Sequence, residues 1–210
     1  MRVRRQFLGR HIMLKKKYGD MLLSGKKTTT IRVGIVKPRY DTLIVHSGGR
    51  PIAIVRIEDV TVKRVSELTD EDARRDGFPD RSTLIEALRK MYGRIGGDEP
   101  VTIIRFKLVK RLDNLDSDDP YMGLTPAEIA RISLRYLNDK LSDEEKRILR
   151  DLTVTGSIRG TAQRLYGDPT RRSKIRATLR RALKLLLQEG ILSVKRHPDT
   201  RIESGGGDSA

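Results

Sequence analysis

The sequence has 210 residues, of which 44 are basic and 28 acidic, giving a formal charge of +16. That length accommodates one large domain or two small ones, and the charge favours a polyanionic partner, nucleic acid first and an anionic membrane surface second. Cysteine is absent, which excludes disulfides, thiol nucleophiles and thiolate metal sites, and His11, His46 and His197 are too far apart for metal-ligand spacing.

From the N-terminus, Leu14, Tyr18, Met21 and Leu22 recur on one helical face, and Gly25 suits a stop. Residues 28–33 alternate as a strand does, with Thr28, Thr30 and Arg32 on one side and Thr29, Ile31 and Val33 on the other. Residues 41–60 read as two strands around a Ser-Gly-Gly turn. Thr69 with Asp72 opens a short acidic helix, and Ser82 caps a second, carrying Leu84, Ile85, Leu88 and Met91 and ended by Gly93. Residues 101–109 form a closing strand. Short strands interrupted by small helices predict an α+β fold, a compact barrel with helical decorations.

Residues 113–123 are acidic, contain Pro120 and Gly123, lack periodicity and read as a linker. The halves on either side are both basic: residues 1–119 hold 26 basic and 17 acidic groups, and residues 120–210 hold 18 and 11. The second half, 124–202, predicts a separate all-α domain. Capping boxes at Thr125–Glu128 and Ser142–Glu145 start two helices, and Ser157 starts a third that buries Ile158, Ala162 and Leu165. Asp168-Pro169 opens the longest, whose apolar stripe is Ile175, Leu179, Ala182, Leu183 and Leu186. Residues 191–202 suit a hairpin with a Pro-Asp turn, and residues 203–210 have nothing to pack.

Capped helices, a basic helix and a basic hairpin have the layout of a winged helix-turn-helix. Its nucleic-acid contacts would be Arg171, Arg172, Lys174, Arg176, Arg180, Arg181 and Lys184 on or beside the helix, with Lys195 and Arg196 on the wing. The bland alternative is a solvated charged face. Against it, the long helix has Glu189 as its only acid, so it holds no alternating-sign ladder of its own.

In the first half, "SGKKTTTIR" (24–32) concentrates reactive side chains. A threonine hydroxyl attacks only when a base takes its proton, and lysine is such a base only when desolvation or nearby cations lower its pKa. Lys27 lies at the mouth of the strand, Thr30 and Arg32 share one face, and Lys26 and Arg32 are the nearby cations. Arg32 suits a phosphate or a carbonyl oxygen. The alternative readings are a half-exposed strand, a phosphate-binding set of Lys26, Lys27, Thr28, Thr30 and Arg32 without chemistry, and an Asp76 that only ends a helix or pairs with Arg74 or Arg75.

Residues 1–112 resemble the ASCH domain family, a small barrel related to the PUA RNA-binding fold. The family signature Gly-x-Lys-x-x-Glu-x-Arg is matched by Gly25, Lys27 and Arg32, with Thr30 in place of the glutamate. "LTDEDARRDGF" (68–78), "RKMYG" (89–93) and "VTIIRF" (101–106) follow in the family's order. "GKKTTTIR" is also similar to a threonine-containing subgroup, small amidohydrolases acting on acetylated cytidine. That resemblance implies a catalytic set of Lys27, Thr30 and Asp76, with aspartate standing where the subgroup has glutamate.

Three functions are therefore expected. The favoured one is RNA binding, with a nucleotide or modified base in the barrel pocket and the helical half on phosphates. The second is deacetylation of an acetylcytidine, and the third a DNA-binding regulator with a ligand-sensing barrel. No cofactor is expected. With no apolar run of membrane-spanning length and no signal-peptide core, the expected location is cytoplasmic. Few amides and 34% charged residues fit a thermophile.

Overall fold

A computed structural model describes residues 6–116 and 118–195. The chain runs β1 (Gln6–Leu8), β2 (His11–Leu14), α1 (Lys16–Leu23), β3 (Thr29–Val33), β4 (Val36–Pro38), β5 (Thr42–Ser47), β6 (Arg50–Arg64), α2 (Asp70–Asp76), α3 (Arg81–Tyr92) and β7 (Pro100–Arg111). A helical region follows: α4 (Pro126–Tyr136), α5 (Asp143–Thr155), α6 (Ile158–Tyr166) and α7 (Ser173–Gln188).

The sheet has five strands in the order β2-β5-β6-β7-β3, with β2 parallel to β5 and the other neighbours antiparallel. β1 and β4 form a separate parallel pair. The sheet thus has two end strands and makes half a barrel, where the sequence suggested a compact barrel. The long ribbon of β6 and β7 explains this. β5 pairs with the first half of β6, from Arg50 to Arg56, while β3 pairs with Val101–Arg105 of β7, opposite the far half of β6. The end strands therefore flank different halves of the ribbon. Register shifts at Ile54/Val55 and Ile57/Asp59 bend it.

β5 is buried along nearly its whole length because both of its faces are covered. Leu43 and Val45, with their partners Val55 and Ala53, pack with Leu22 of α1 and Phe106. Ile44 and its partner Ile54 point the other way, into the core of the helical region with Ile129, Leu149 and Leu179. The helices therefore share a core with the sheet. The expected linker carries part of their joint: Leu115 is 2% exposed, and its amide donates to the Ser193 carbonyl at 2.8 Å. Acidic composition suggested a solvated linker, but one leucine in it is an anchor. A third core, containing Ile31, Ala73, Leu84, Leu88 and Val101, seats α2 and α3 on the sheet.

Local signals place most elements. Both capping boxes form, Pro126 lies in the first turn of α4, and Ser157 accepts from the Gly160 amide. The apolar stripe of α7 is buried at all five expected positions. Three expectations are corrected. Leu14 ends β2 and does not belong to α1. Asp80, not Ser82, caps α3 by accepting from the Thr83 amide. Asp168 binds the Thr170 amide and hydroxyl in a turn, so α7 begins only at Ser173. Of the expected hairpin, Val194 forms a parallel bridge with Leu115, while residues 196–202 lie outside the described residues.

Candidate functional site

The turn after α1 delivers Lys27. Gly25 takes φ +76, and its amide donates to the Leu22 carbonyl at 3.0 Å. The Lys27 amide then donates to the Met21 carbonyl at 3.0 Å, and the Thr28 amide to the Arg75 carbonyl at 2.9 Å. With its backbone fixed at both ends, the Lys27 side chain turns inward and is 4% exposed.

Its partner comes from the end of α2. Asp76 is the last residue of that helix, and Gly77, at φ +93, caps it with its amide toward Ala73 and Arg74. The positive φ favours glycine there, and a Cβ would sit 3.2 Å from Tyr18 Cδ1, a tight contact that the ring would have to yield to. Lys27 Nζ donates to the Asp76 carbonyl oxygen at 2.6 Å and also to Asp76 Oδ1. The carbonyl lies at the negative end of α2, which favours a cation there. Asp76 therefore does end a helix, but its partner is Lys27, whereas Arg75 pairs with Glu71.

Burial dominates the pair. It holds Lys27 below its ordinary lysine value, against the attraction of Asp76, with Arg32 adding to the depression. It pushes Asp76 up to about 6, against Lys27, the Ile31 amide and Arg32. Burial thus works against the charged form of each partner, and Lys27 accepts and releases its proton at lower pH than a solvated lysine.

A cavity of about 170 Å³ opens beside the pair, and Lys27, Thr30, Arg32 and Asp76 all line it. Thr30 is 4% exposed and is fixed in β3 opposite Ile104. Tyr18 and Phe78 form an aromatic wall, with ring centroids 5.4 Å apart, and Lys27 Nζ lies 5.4 Å from the Tyr18 centroid. Sequence reasoning missed these rings as site residues, because Tyr18 has the spacing of a packed helix face. The signal for Phe78 was its place directly after the glycine that caps α2.

The other expected residues are spread more widely. Lys26 is exposed at the turn. Thr28 does not join Thr30; it lines a second, open cleft of about 610 Å³ with Glu58, Arg75 and Arg105. Strand alternation fails there because β3 starts at Thr29, and the Thr28 carbonyl is held by the Phe106 amide at 2.9 Å.

In the helical region, Arg171 and Arg172 precede α7, and Arg171 Nε is 3.8 Å from Asp168 Oδ2. The positive face of α7 has acidic partners after all. Lys174 pairs with Glu144, and Arg181 Nη1 donates to Glu145 Oε1 at 2.9 Å. These acids belong to the first turn of α5, so a sequence count within α7 could not find them. Arg176, Arg180, Lys184 and Lys195 are exposed. Arg196 lies outside the described residues. Among those residues, no cluster of metal-ligating side chains occurs and no helix is long and apolar enough to cross a membrane.

Comparison with known proteins bears on the first half. The ASCH domain family model matches residues 5–110. Among solved structures, the chain is similar to an ASCH domain from Lactobacillus crispatus, at 18% identity and TM-score 0.41, covering 49% of this chain and 79% of that one. It is also similar to an ASCH protein from Zymomonas mobilis, at 17% identity and TM-score 0.38, covering 49% and 71%. No curated protein matches the chain. ASCH domains are PUA-like and associated with RNA binding. The family match ends before α4 and leaves the helical region unassigned. By the match over 5–110, half its length, the chain belongs to the ASCH domain family.

Proposed function

We propose that this protein binds RNA and takes one base, plain or modified, into the cavity of Lys27, Thr30, Arg32 and Asp76. The observation that carries this reading is a small, largely apolar cavity walled by Tyr18 and Phe78, into which Lys27, Thr30, Arg32 and Asp76 bring polar groups, in a domain of an RNA-associated family. Aromatic faces stack on unpaired bases, and buried polar groups read their edges. In this reading the helical region acts as a winged helix-turn-helix, with Arg176, Arg180, Lys184 and Lys195 on phosphates. Ultraviolet crosslinking to single-stranded RNA, followed by peptide mapping, tests it. Crosslinks at Tyr18 or Phe78 are expected, and crosslinks confined to α7 would remove the pocket from the account.

A second reading is favoured by the depressed Lys27 and its shared cavity with Thr30: removal of acetyl from acetylcytidine. Lys27 takes the Thr30 proton as Oγ1 attacks the acetyl carbonyl, and Arg32 faces the oxyanion. The C–N bond then breaks, Lys27 returns the proton to the departing amine, and water hydrolyses the threonyl ester to acetate. The shorter side chain of Asp76 is compatible with this role, since Lys27 reaches its carboxylate directly. Release of cytidine and acetate, lost in Thr30→Ala, is the expected result. Turnover persisting in that variant would contradict it. Preference for a particular duplex DNA over single-stranded RNA would instead favour a DNA-binding regulator.

A further inference from the structure

Away from the Lys27 cavity, a groove of about 730 Å³ follows the seam between the sheet and the helices. Arg10 and Arg39 line it from the sheet side, and Arg131 and Arg135 of α4 from the helical side. No acidic side chain lines it. This is unlike the face of α7, where Lys174 and Arg181 are matched by glutamates.

Two of these arginines are held by aromatic planes: Arg10 lies 3.5 Å from the Tyr40 ring centroid and Arg39 lies 4.5 Å from that of Phe7. Arg131 Nη2 donates to the Thr153 carbonyl at 3.2 Å, but its Nε is buried and has no partner. Burial and the charge of Arg10 hold Arg131 below its ordinary value, against the pull of Glu128 outside the groove lining, and burial first, then Arg135, Arg131 and Arg10, depresses His11. Positive groups crowded around a groove with no acid in its lining are unfavourable in the free protein and favourable around an anion.

The two walls are tied together. His46 of β5 lies with Nδ1 2.6 Å from the Tyr136 hydroxyl of α4 and with Nε2 2.8 Å from His11 Nδ1 on β2. β2 then leads out of the groove. His11 lines the groove, and Met13, about 7 Å further along the strand, lines the Lys27 cavity. Arg135 Nη2 of the groove reaches Met13 Sδ of the cavity at 3.6 Å.

We propose that this groove holds the phosphates of the single-stranded RNA segment flanking the base in the Lys27 cavity. The inference rests on the RNA-binding reading and moves its main phosphate contact from α7 to the seam. One wall is ASCH and the other comes from the helices, so the helical region completes a binding track that the ASCH domain lacks alone. β2 runs from the groove at His11 to the cavity at Met13, a path that suits a flexible single strand, and the face of Tyr40 away from Arg10 is available for stacking.

The test uses the full chain and a fluorescein-labelled single-stranded RNA of about twelve nucleotides, a length on the scale of single-strand binding sites. Arg39→Gln with Arg135→Gln changes one exposed arginine on each wall. The expected result is a salt slope smaller by about 1.4, from about 0.7 per lost phosphate contact, and at least tenfold weaker binding near 0.1 M salt. The matching Arg39→Lys with Arg135→Lys variant keeps the charge and retains most of the slope. Arg176→Gln with Arg180→Gln on α7 changes the slope less than the groove pair does. If the groove pair binds RNA as the wild type does, the groove assignment is overturned and the RNA-binding reading stands. If the wild type binds no RNA, both are overturned. If the groove pair loses duplex binding alone, the single-strand assignment is overturned.

Discussion

Lys27 Nζ donates to both the main-chain carbonyl and the carboxylate of Asp76, and the two side chains are 3% and 7% exposed. Removing one member of such a pair leaves the other buried without compensation, at a cost of about 3–5 kcal/mol, whereas replacing both with apolar groups is close to neutral. Asp76→Ala is therefore expected to be strongly destabilising, and Lys27→Met with Asp76→Leu much less so. Urea unfolding of the single and double variants measures the difference. Additive losses would contradict direct coupling.

The same pair sets a pH dependence for any acetyl transfer. Lys27 must be neutral to accept the Thr30 proton, and its value lies below that of ordinary lysine. Asp76, raised to about 6, is ionised above that pH. Turnover is expected to climb with pH as Lys27 loses its proton, at lower pH than a solvated lysine would, in apparent steps that belong to the coupled pair. Asp76→Asn removes the lower step. A rate that does not rise with pH would contradict the role of Lys27 as base.

His46 makes stability depend on pH. It is fully buried, and desolvation first, then His11 and Arg135, lowers it from 6.5 to about 4. A histidine kept neutral in the fold contributes fully above its unfolded value, and that contribution is lost as pH falls from about 6.5 to about 4. The slope is at most about 1.4 kcal/mol per pH unit. Asp76 acts in the opposite sense, since its raised value makes the fold relatively more stable as pH falls from about 6 toward 3.8. Comparing wild type with His46→Gln isolates the histidine: the variant starts less stable and loses less on acidification. Parallel curves for the two would contradict this.

Ile44 and Ile54 join the sheet to the helices through one core. Ile44→Ala is expected to cost about 2–5 kcal/mol and to lower one shared melting transition. Calorimetry resolving separate transitions for residues 6–111 and 124–195 would contradict a common core.

How far the sequence revealed the fold follows the range of the forces involved. Thr69, Thr125, Ser142 and Ser157 announced their helices because capping is local. Gly25, Lys27, Thr30 and Arg32 could be placed on one turn and strand for the same reason. Long-range choices were hidden. Nothing near Leu115 shows that it joins the helical core, and nothing in α7 shows that its partners are Glu144 and Glu145. The arginines of the seam are scattered singly through the sequence. Only the docking of α4 beside β2 and β5 brings them together.

Binding of single-stranded RNA as a function of salt tests the central claim most directly. Fluorescence anisotropy with the full chain is expected to show affinity falling steeply and linearly on a logarithmic salt scale. Arg32→Gln, at the mouth of the cavity, should weaken binding further. No binding at low salt, or an affinity flat with salt and unchanged in Arg32→Gln, would contradict the account.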